Sequence, residues 1–103
     1  MRYKEIFKLK GMLENAGIPH KFIDWKNEWY RHEKWQITYP NVEPPNYICS
    51  CIEGFGTYGE EQDLLEIRGL LTDKEFENDS VLGYLTAEEV FERIEKHYKG
   101  AKQ

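Results

Sequence analysis

The sequence predicts an α+β fold, a small and mostly antiparallel sheet of three to five strands with an N-terminal and a C-terminal helix. Apolar residues recur at helical spacing near both ends of the chain. Between them, residues 34–39 alternate between apolar and polar side chains, as a half-buried strand does. Because 103 residues is the length of one ordinary domain, we expect a single domain over residues 1–103.

The first predicted helix ends at a clear stop signal. Its apolar positions fall on one broad stripe, made by Ile6, Leu9, Met12, Leu13 and Ala16 and widened by Tyr3 and Phe7. Gly17 suits the left-handed conformation that commonly follows the last helical turn, and Pro19 cannot continue a helix. The helix is therefore expected to end at Gly17.

Strands are predicted at residues 21–25, 34–39 and 47–53, with a turn over residues 26–33. The side chains expected to face both helices are Trp25, Trp35, Ile37, Tyr39, Ile48 and Ile52. Residues 64–71 are interpreted as a strand that returns after a glycine-rich loop. A short helix over residues 60–68 is the alternative.

Two Thr-x-x-Glu sequences, at residues 72–75 and 86–89, predict two further helix starts. In such a capping box the Thr side chain accepts from the amide three residues on, and the Glu side chain accepts from the Thr amide. Each box also has a Leu before it and an apolar residue after it, the pattern of a hydrophobic staple. The first of these helices must be short, because residues 78–80 break it. The second is expected to run to about Tyr98, with Gly100 as its stop.

The chain is acidic, with a net charge of −5 from 19 acidic and 14 basic residues. This balance disfavours direct binding to nucleic acid or to anionic membranes, whereas it suits a basic protein partner. Residues 1–10 carry charges throughout, without the apolar core of a signal peptide. No stretch approaches the ~20 apolar residues of a membrane span. We therefore expect a soluble, cytoplasmic protein.

The two cysteines, Cys49 and Cys51, are interpreted as core residues. A closed zinc site would need two further ligands, and none of the three histidines has ligand spacing. We expect no metal, no cofactor and no catalytic residue, since Cys49 and Cys51 lie in mid-strand while catalytic residues favour loops and strand ends. Whether the pair has any role beyond packing stays open.

The glycine-rich loop spells G-x-G-x-x-G with Gly54, Gly56 and Gly59. In dinucleotide-binding folds such glycines bring backbone amides onto a pyrophosphate at a helix N-terminus. This chain lacks the repeated βαβ units of those folds, and Glu60 and Glu61 follow at once and would repel phosphate. The loop is therefore interpreted as a hairpin connection.

The candidate binding residues lie around this loop and in an aromatic segment upstream of it. They are Tyr58, Gly59, Glu60, Glu61, Asp63, Glu66, Trp29 and Tyr30. Acidic side chains can meet a basic groove, and exposed aromatic rings can stack on a nucleotide base. On a strand, Glu66 would form a same-face surface pair with Arg68.

The chain contains Gly-Thr-Tyr-Gly at 56–59, Leu-Leu-Glu-Ile-x-Gly at 64–69 and Gly-Tyr-Leu-Thr-Ala-Glu-Glu-Val-Phe at 83–91, with Ile-Cys-Ser upstream at 48–50. In these motifs, over roughly its second half, the chain resembles a family of small proteins from phages and prophages of Gram-positive bacteria. The family has no settled activity, so the resemblance implies no catalytic residues. It implies an accessory protein in the cytoplasm of a host cell.

These observations predict a non-enzymatic phage or prophage accessory protein that binds a partner. The leading hypothesis is an inhibitor of anti-CRISPR type, which blocks a host defence system. Its target would be a basic nucleic-acid-binding groove of a host effector. The alternatives are a protein that sequesters a small nucleotide ligand, and a structural or regulatory interaction module without a defence role. An exposed sheet edge would also allow two copies of the chain to form a homodimer.

Overall fold

The computed structural model describes residues 2–28 and 32–101, and it confirms the α+β fold. The helices and strands in chain order are α1 (Glu5–Ala16), β1 (Lys21–Asp24), α2 (Trp25–Glu28), β2 (Lys34–Tyr39), β3 (Cys49–Gly54), β4 (Leu65–Arg68), α3 (Asp73–Asn78), β5 (Val81–Leu85) and α4 (Ala87–Ala101). A single 3₁₀ turn, Glu60–Gln62, precedes β4. Residues 65–68 are thus a strand as predicted, and the alternative helix is confined to this short turn.

The five strands form one antiparallel sheet in which each strand pairs with the next along the chain, in the order β1-β2-β3-β4-β5. Ile37 lies opposite Cys51, and Cys51 lies opposite Ile67. These three side chains are buried, together with the stripes of α1 and α4. Both long helices therefore cover one face of the sheet, and within residues 2–28 and 32–101 no long helix covers the opposite face.

Helix α1 follows its predicted pattern closely. Ile6, Leu9 and Leu13 are fully buried, and Gly17 ends the helix with a φ of 67°. The Ile18 amide donates to the Leu13 carbonyl at 3.0 Å, which satisfies one of the carbonyls that a helix end leaves without a partner.

The prediction for β3 was wrong about which face of the strand is buried in the core. Cys49 and Cys51 are 1% and 0% exposed and face the helices, whereas Ile48 is 40% exposed and Ile52 lies half-buried on the other face. The register that places Cys51 opposite Ile37 decides this, because cross-strand neighbours point to the same face. A prediction from hydrophobicity alone preferred Ile to Cys.

Trp25 also lies outside the predicted core. Strand β1 ends at Asp24, and Trp25 begins the single turn of α2, where the sequence predicted strand followed by turn. The Trp25 indole N–H donates to Gln36 Oε1, and Gln36 belongs to the face without long helices. Trp25 therefore helps to cover that face.

Both predicted capping boxes are complete. The Thr72 amide donates to Glu75 Oε1 at 2.8 Å, and the Glu75 amide donates to Thr72 Oγ1 at 3.2 Å. Thr86 and Glu89 repeat the arrangement at 2.9 and 3.2 Å. Helices α3 and α4 begin directly after these two threonines.

The two helices differ in how they bury their apolar residues. Leu85 and Val90, which flank the second box, are buried, whereas Phe76, the residue after the first box, is 64% exposed. Helix α3 has no buried residue at all. Helix α4 extends to Ala101, so Gly100 does not end it as predicted.

Arg93 attaches α3 to α4, and we expect its replacement by Lys to destabilise the protein by roughly 1–2 kcal/mol. The guanidinium donates to both carboxylate oxygens of Glu75, at 2.8 and 2.7 Å, and to the Leu70 carbonyl at 2.9 Å. Lys cannot reproduce this paired geometry.

Urea denaturation of Arg93→Lys and of the wild type measures the change in the free energy of unfolding. Lys99→Gln, which breaks an exposed pair with Glu95, is the control and should change stability by less than ~0.5 kcal/mol. Equal effects of the two variants would contradict the assignment.

Candidate functional site

The sheet face without long helices carries a polar cavity of about 230 Å³. Alternate residues of three neighbouring strands point into it, and these are Lys34, Gln36, Ser50, Ile52, Glu66 and Arg68. The aromatic side chains of Trp25 and Tyr47 complete its lining. Ser50 lies opposite Arg68 and Ile52 lies opposite Glu66, so strand register alone brings these groups together.

A chain of hydrogen bonds between side chains orders part of this cavity. The Trp25 indole N–H donates to Gln36 Oε1 at 3.1 Å, and Gln36 Nε2 donates to Ser50 Oγ at 2.8 Å. Gln36 and Ser50 are 9% and 5% exposed. Because Ser50 Oγ accepts from Gln36, its own hydroxyl proton can be donated to another acceptor.

The charged groups of the cavity are Lys34, Arg68 and Glu66. Glu66 Oε1 accepts from the Tyr58 backbone amide at 2.9 Å. Glu66 and Arg68 share a face as predicted, but they form no ion pair. Within residues 2–28 and 32–101, the Arg68 guanidinium has neither an ion pair nor a side-chain hydrogen bond. In this acidic chain, an exposed guanidinium with no partner among the described residues therefore borders a polar cavity.

The G-x-G-x-x-G loop has a structural explanation. Gly54, Gly56 and Gly59 have φ values of 147°, 82° and 95°, which residues other than glycine rarely adopt. A Cβ at Gly54 would lie 2.4 Å from the Glu33 carbonyl oxygen, and one at Gly59 would lie 3.0 Å from Leu64 Cβ. The glycines thus serve tight backbone turns and close contacts inside the hairpin connection.

Glu60 connects this loop to the start of the chain. Its Oε2 accepts from the Tyr3 hydroxyl at 2.7 Å, and its Oε1 accepts from the Gly56 amide at 3.1 Å. These two hydrogen bonds lower the pKa of Glu60. Burial and the same bond to Glu60 raise the pKa of Tyr3 to about 12. Glu61, the next residue, is exposed.

Asp63 and Glu53 form a carboxyl pair at the N-terminus of α1. Asp63 Oδ1 accepts from the Lys4 and Glu5 amides at 2.8 and 3.1 Å, and Glu53 Oε1 accepts from the Ile6 amide at 3.1 Å. Burial and the contact with Asp63 raise the pKa of Glu53 to about 8. Burial opposes the ionisation of Asp63, but its hydrogen bonds with Glu53 and with these amides outweigh burial and lower its pKa.

A proton shared by the pair accounts for the one buried oxygen that otherwise lacks a partner. Among the described residues, Glu53 Oε2 is the buried side-chain atom without a hydrogen bond when both carboxyls are ionised. A proton on Glu53 that is donated to Asp63 satisfies it. This role of Glu53 was not predicted from the sequence, although Glu53 lies two residues after Cys51 and so shares its face of β3. Glu53 is fully buried.

The predicted binding residues therefore fall into three groups. Tyr58 and Glu66 come together through a hydrogen bond, and only Glu66 lines the cavity. Gly59, Glu60 and Asp63 shape the loop or attach it to α1, and Glu61 points to solvent. Trp29 and Tyr30 lie outside the described residues.

Tyr58 has a second structural contact, with the edge strand β5. Its side chain lies so close to Gly83 that a Cβ there would be 2.3 Å from the Tyr58 Cβ. About half of the Tyr58 side chain remains exposed. Tyr58 therefore lies between the loop and β5, beside the cavity.

The cysteines are free thiols in the core. Burial raises the pKa of Cys49 to about 12, and burial also raises the pKa of Cys51. Both thiols are protonated at neutral pH, and a thiol is a much weaker nucleophile and metal ligand than a thiolate. In the part of the chain that the structure describes, no group of three or more His, Cys, Asp or Glu residues could hold a metal ion.

Comparison with protein-family models, with curated proteins and with solved structures found no match for this chain. The resemblance to small phage and prophage proteins therefore stays an expectation. Over the described ranges, no helix combines the length and the apolar character that crossing a bilayer requires.

Proposed function

We propose that this chain is a non-enzymatic binding protein that holds a small anionic ligand in the polar cavity of the sheet face without long helices. The observation that supports it is the unpaired guanidinium of Arg68 beside the ordered Gln36–Ser50 pair. A phage or prophage setting, in the cytoplasm of a host cell, is part of the same proposal, and it rests on the resemblance.

The donors around the cavity are suited to an anion. Arg68 can donate two parallel N–H bonds to a carboxylate or phosphate, and charge-assisted bonds of this kind are about twice as strong as neutral ones. Ser50 can donate its hydroxyl proton, and Lys34 adds positive charge. A volume of about 230 Å³ lies below the roughly 300–1,000 Å³ of pockets for drug-sized ligands. We therefore infer a small anion or the charged end of a longer molecule.

The hypothesis of an inhibitor that meets a basic groove stays a prediction, as does the homodimer. The contacts of the loop favour the small ligand instead. Glu60 and Asp63 already accept hydrogen bonds within the chain, so these two acidic candidates for a basic groove are engaged internally. A nucleotide remains one member of the proposed ligand class, because the aromatic side chains of Trp25 and Tyr47 line the cavity.

Titration of ¹⁵N-labelled protein with butyrate, inorganic phosphate and AMP tests the proposal. We expect saturable amide shifts centred on Ser50 and Arg68 with at least one of these anions. Arg68→Gln should weaken that binding by roughly tenfold or more, because it removes a charge-assisted pair.

The matched control is Lys99→Gln, which removes an exposed positive charge on α4 that does not line the cavity. It should leave the binding unchanged. Absence of saturable shifts with all three anions would overturn the proposal, as would equal weakening by the two variants.

A further inference from the structure

A second, more apolar cavity of about 780 Å³ adjoins the polar one. The two share Tyr47 and Arg68, so the unpaired guanidinium lies at their border. We call the second cavity the α3 groove. Its apolar side chains are Ile48, Leu70, Leu71 and Phe76.

The α3 groove exposes apolar surface that the fold has not buried. Ile48 is 40% exposed and Phe76 is 64% exposed, and both line the same cavity. Neighbouring exposed apolar side chains on a small protein commonly mark a binding site. The capping box and the Glu75–Arg93 pair hold α3 in place, so its Phe76 is not needed to anchor the helix in the core.

The backbone of this groove is also strained. Leu70 has a φ of 57°, a left-handed conformation that is unfavourable for a residue with a branched side chain. Its carbonyl accepts from Arg93, which helps to hold it there. Strain of this kind, maintained by surrounding contacts, is found preferentially at binding sites. Leu70 is one of the residues that line the groove.

The charged side chains around the groove would orient a bound ligand. Arg68 lies at the border with the polar cavity, whereas Asp73 and Glu77 of α3 line the groove itself. An anionic group is therefore attracted to Arg68 and repelled from the α3 side. The part of the ligand beyond its anionic group is therefore not expected to carry a second negative charge, and the apolar side chains of the groove favour a hydrocarbon there.

We propose that the ligand is an apolar carboxylate, with its carboxylate on Arg68 and its hydrocarbon part in the α3 groove between Ile48 and Phe76. This inference rests on the proposed function and narrows it. A nucleotide fits less well, because its polar sugar and base would have to occupy the apolar groove.

A series of straight-chain carboxylates tests the inference. We expect the affinity to rise from butyrate through hexanoate to octanoate by roughly two- to fourfold for each added methylene, as expected when CH₂ groups leave water. The measurement is an NMR titration of ¹⁵N-labelled protein, read at the amides of Ile48, Arg68 and Phe76. Octanamide, which keeps the chain but lacks the charge, should bind at least tenfold more weakly than octanoate.

Phe76→Ser should flatten the dependence of affinity on chain length, because it removes apolar surface from the α3 groove. Because Phe76 is largely exposed, the variant is expected to fold. Phe55→Ser is the matched control, since Phe55 is likewise an exposed phenylalanine but lines neither cavity. It should retain the full dependence on chain length.

The outcomes separate this inference from the proposed function. If butyrate binds at Arg68 but affinity does not rise with chain length, the inference is wrong and the anion site stands. If octanoate and octanamide bind equally, the charge plays no part and the inference is also wrong. Tighter binding of AMP than of octanoate would overturn the inference and favour a nucleotide. If neither butyrate, inorganic phosphate nor AMP gives saturable shifts, the proposed function and this inference both fail.

Discussion

Replacing Glu53 with Gln is expected to remove most of the fall in the free energy of unfolding that the wild-type protein shows between about pH 5 and pH 9. The folded protein keeps a proton on Glu53 up to a pKa of about 8, whereas the unfolded chain releases it near the ordinary value of 4.5. Between these two values the folded state binds more protons than the unfolded state. The stabilisation is therefore fully present below about pH 4.5 and is lost as the pH rises through about 8.

The expected size of this fall is on the order of 5 kcal/mol, because one pKa unit corresponds to about 1.4 kcal/mol and the pKa of the fully buried Glu53 is raised from 4.5 to about 8. Gln imitates the protonated carboxyl. Its oxygen can accept from the Ile6 amide, and its NH₂ group can donate to Asp63. The variant should be more stable than the wild type at pH 9 and similar to it at pH 5.

Urea denaturation at several pH values measures this effect, with the midpoint and the slope analysed together. Glu61→Gln is the matched control, because Glu61 lies in the same loop and is exposed. It should keep the wild-type dependence on pH. The assignment would be wrong if Glu53→Gln and the wild type showed the same dependence. Asp63 acts in the opposite direction, since its pKa is lowered: its stabilisation is fully present above the ordinary value of 3.8 and is lost as the pH falls below that value through the lowered pKa.

The second large effect is expected at Gly54. Replacement by Ala should destabilise the protein by ~3 kcal/mol or more, or prevent folding, because the added Cβ would meet backbone atoms. It would lie 2.4 Å from the Glu33 carbonyl oxygen and 2.5 Å from the Lys34 Cα. Gly54 also pairs with Lys34 across the sheet, so relief of the contact would disturb the β2–β3 pairing.

Gly56→Ala is the control within the same motif. Gly56 also has a positive φ, of 82°, but nothing lies within 4 Å of the position of its Cβ. The backbone conformation alone should therefore cost about 1 kcal/mol. Thermal and urea denaturation compare the two variants. Similar losses for both would show that close packing at Gly54 is not the reason for the glycine.

The local features of the fold were predictable because they depend on neighbours in sequence. The stop at Gly17 and the capping boxes at residues 72–75 and 86–89 require only groups within a few residues of one another. The existence of strand β2 likewise required only a period of two, but the predicted solvent-facing side was wrong, because Gln36 and Thr38 are buried as well. The end of α4 was missed, because Gly100 permits a stop without requiring one.

The candidate site was only partly predictable. Glu66 was identified, and its position on the face shared with Arg68 followed from alternation. Gln36 and Ser50 were overlooked, because a polar residue on the outer face of a strand normally meets solvent. Trp25 and Tyr47 shield that face, and their contribution comes from segments outside the three strands that form the rest of the cavity.

The sequence by itself determined the α+β class, the end of α1, the starts of α3 and α4, and the structural nature of the G-x-G-x-x-G loop, since each depends on local periodicity, capping or charge. The tertiary structure decided which face of β3 is buried, that Glu53 retains its proton beside Asp63, and that Arg68, which pairs with none of the described residues, lies between a polar cavity and an apolar groove. These features depend on cross-strand register and on contacts such as Ile6–Glu53, between residues far apart in the chain. Local patterns carry no information about such distances.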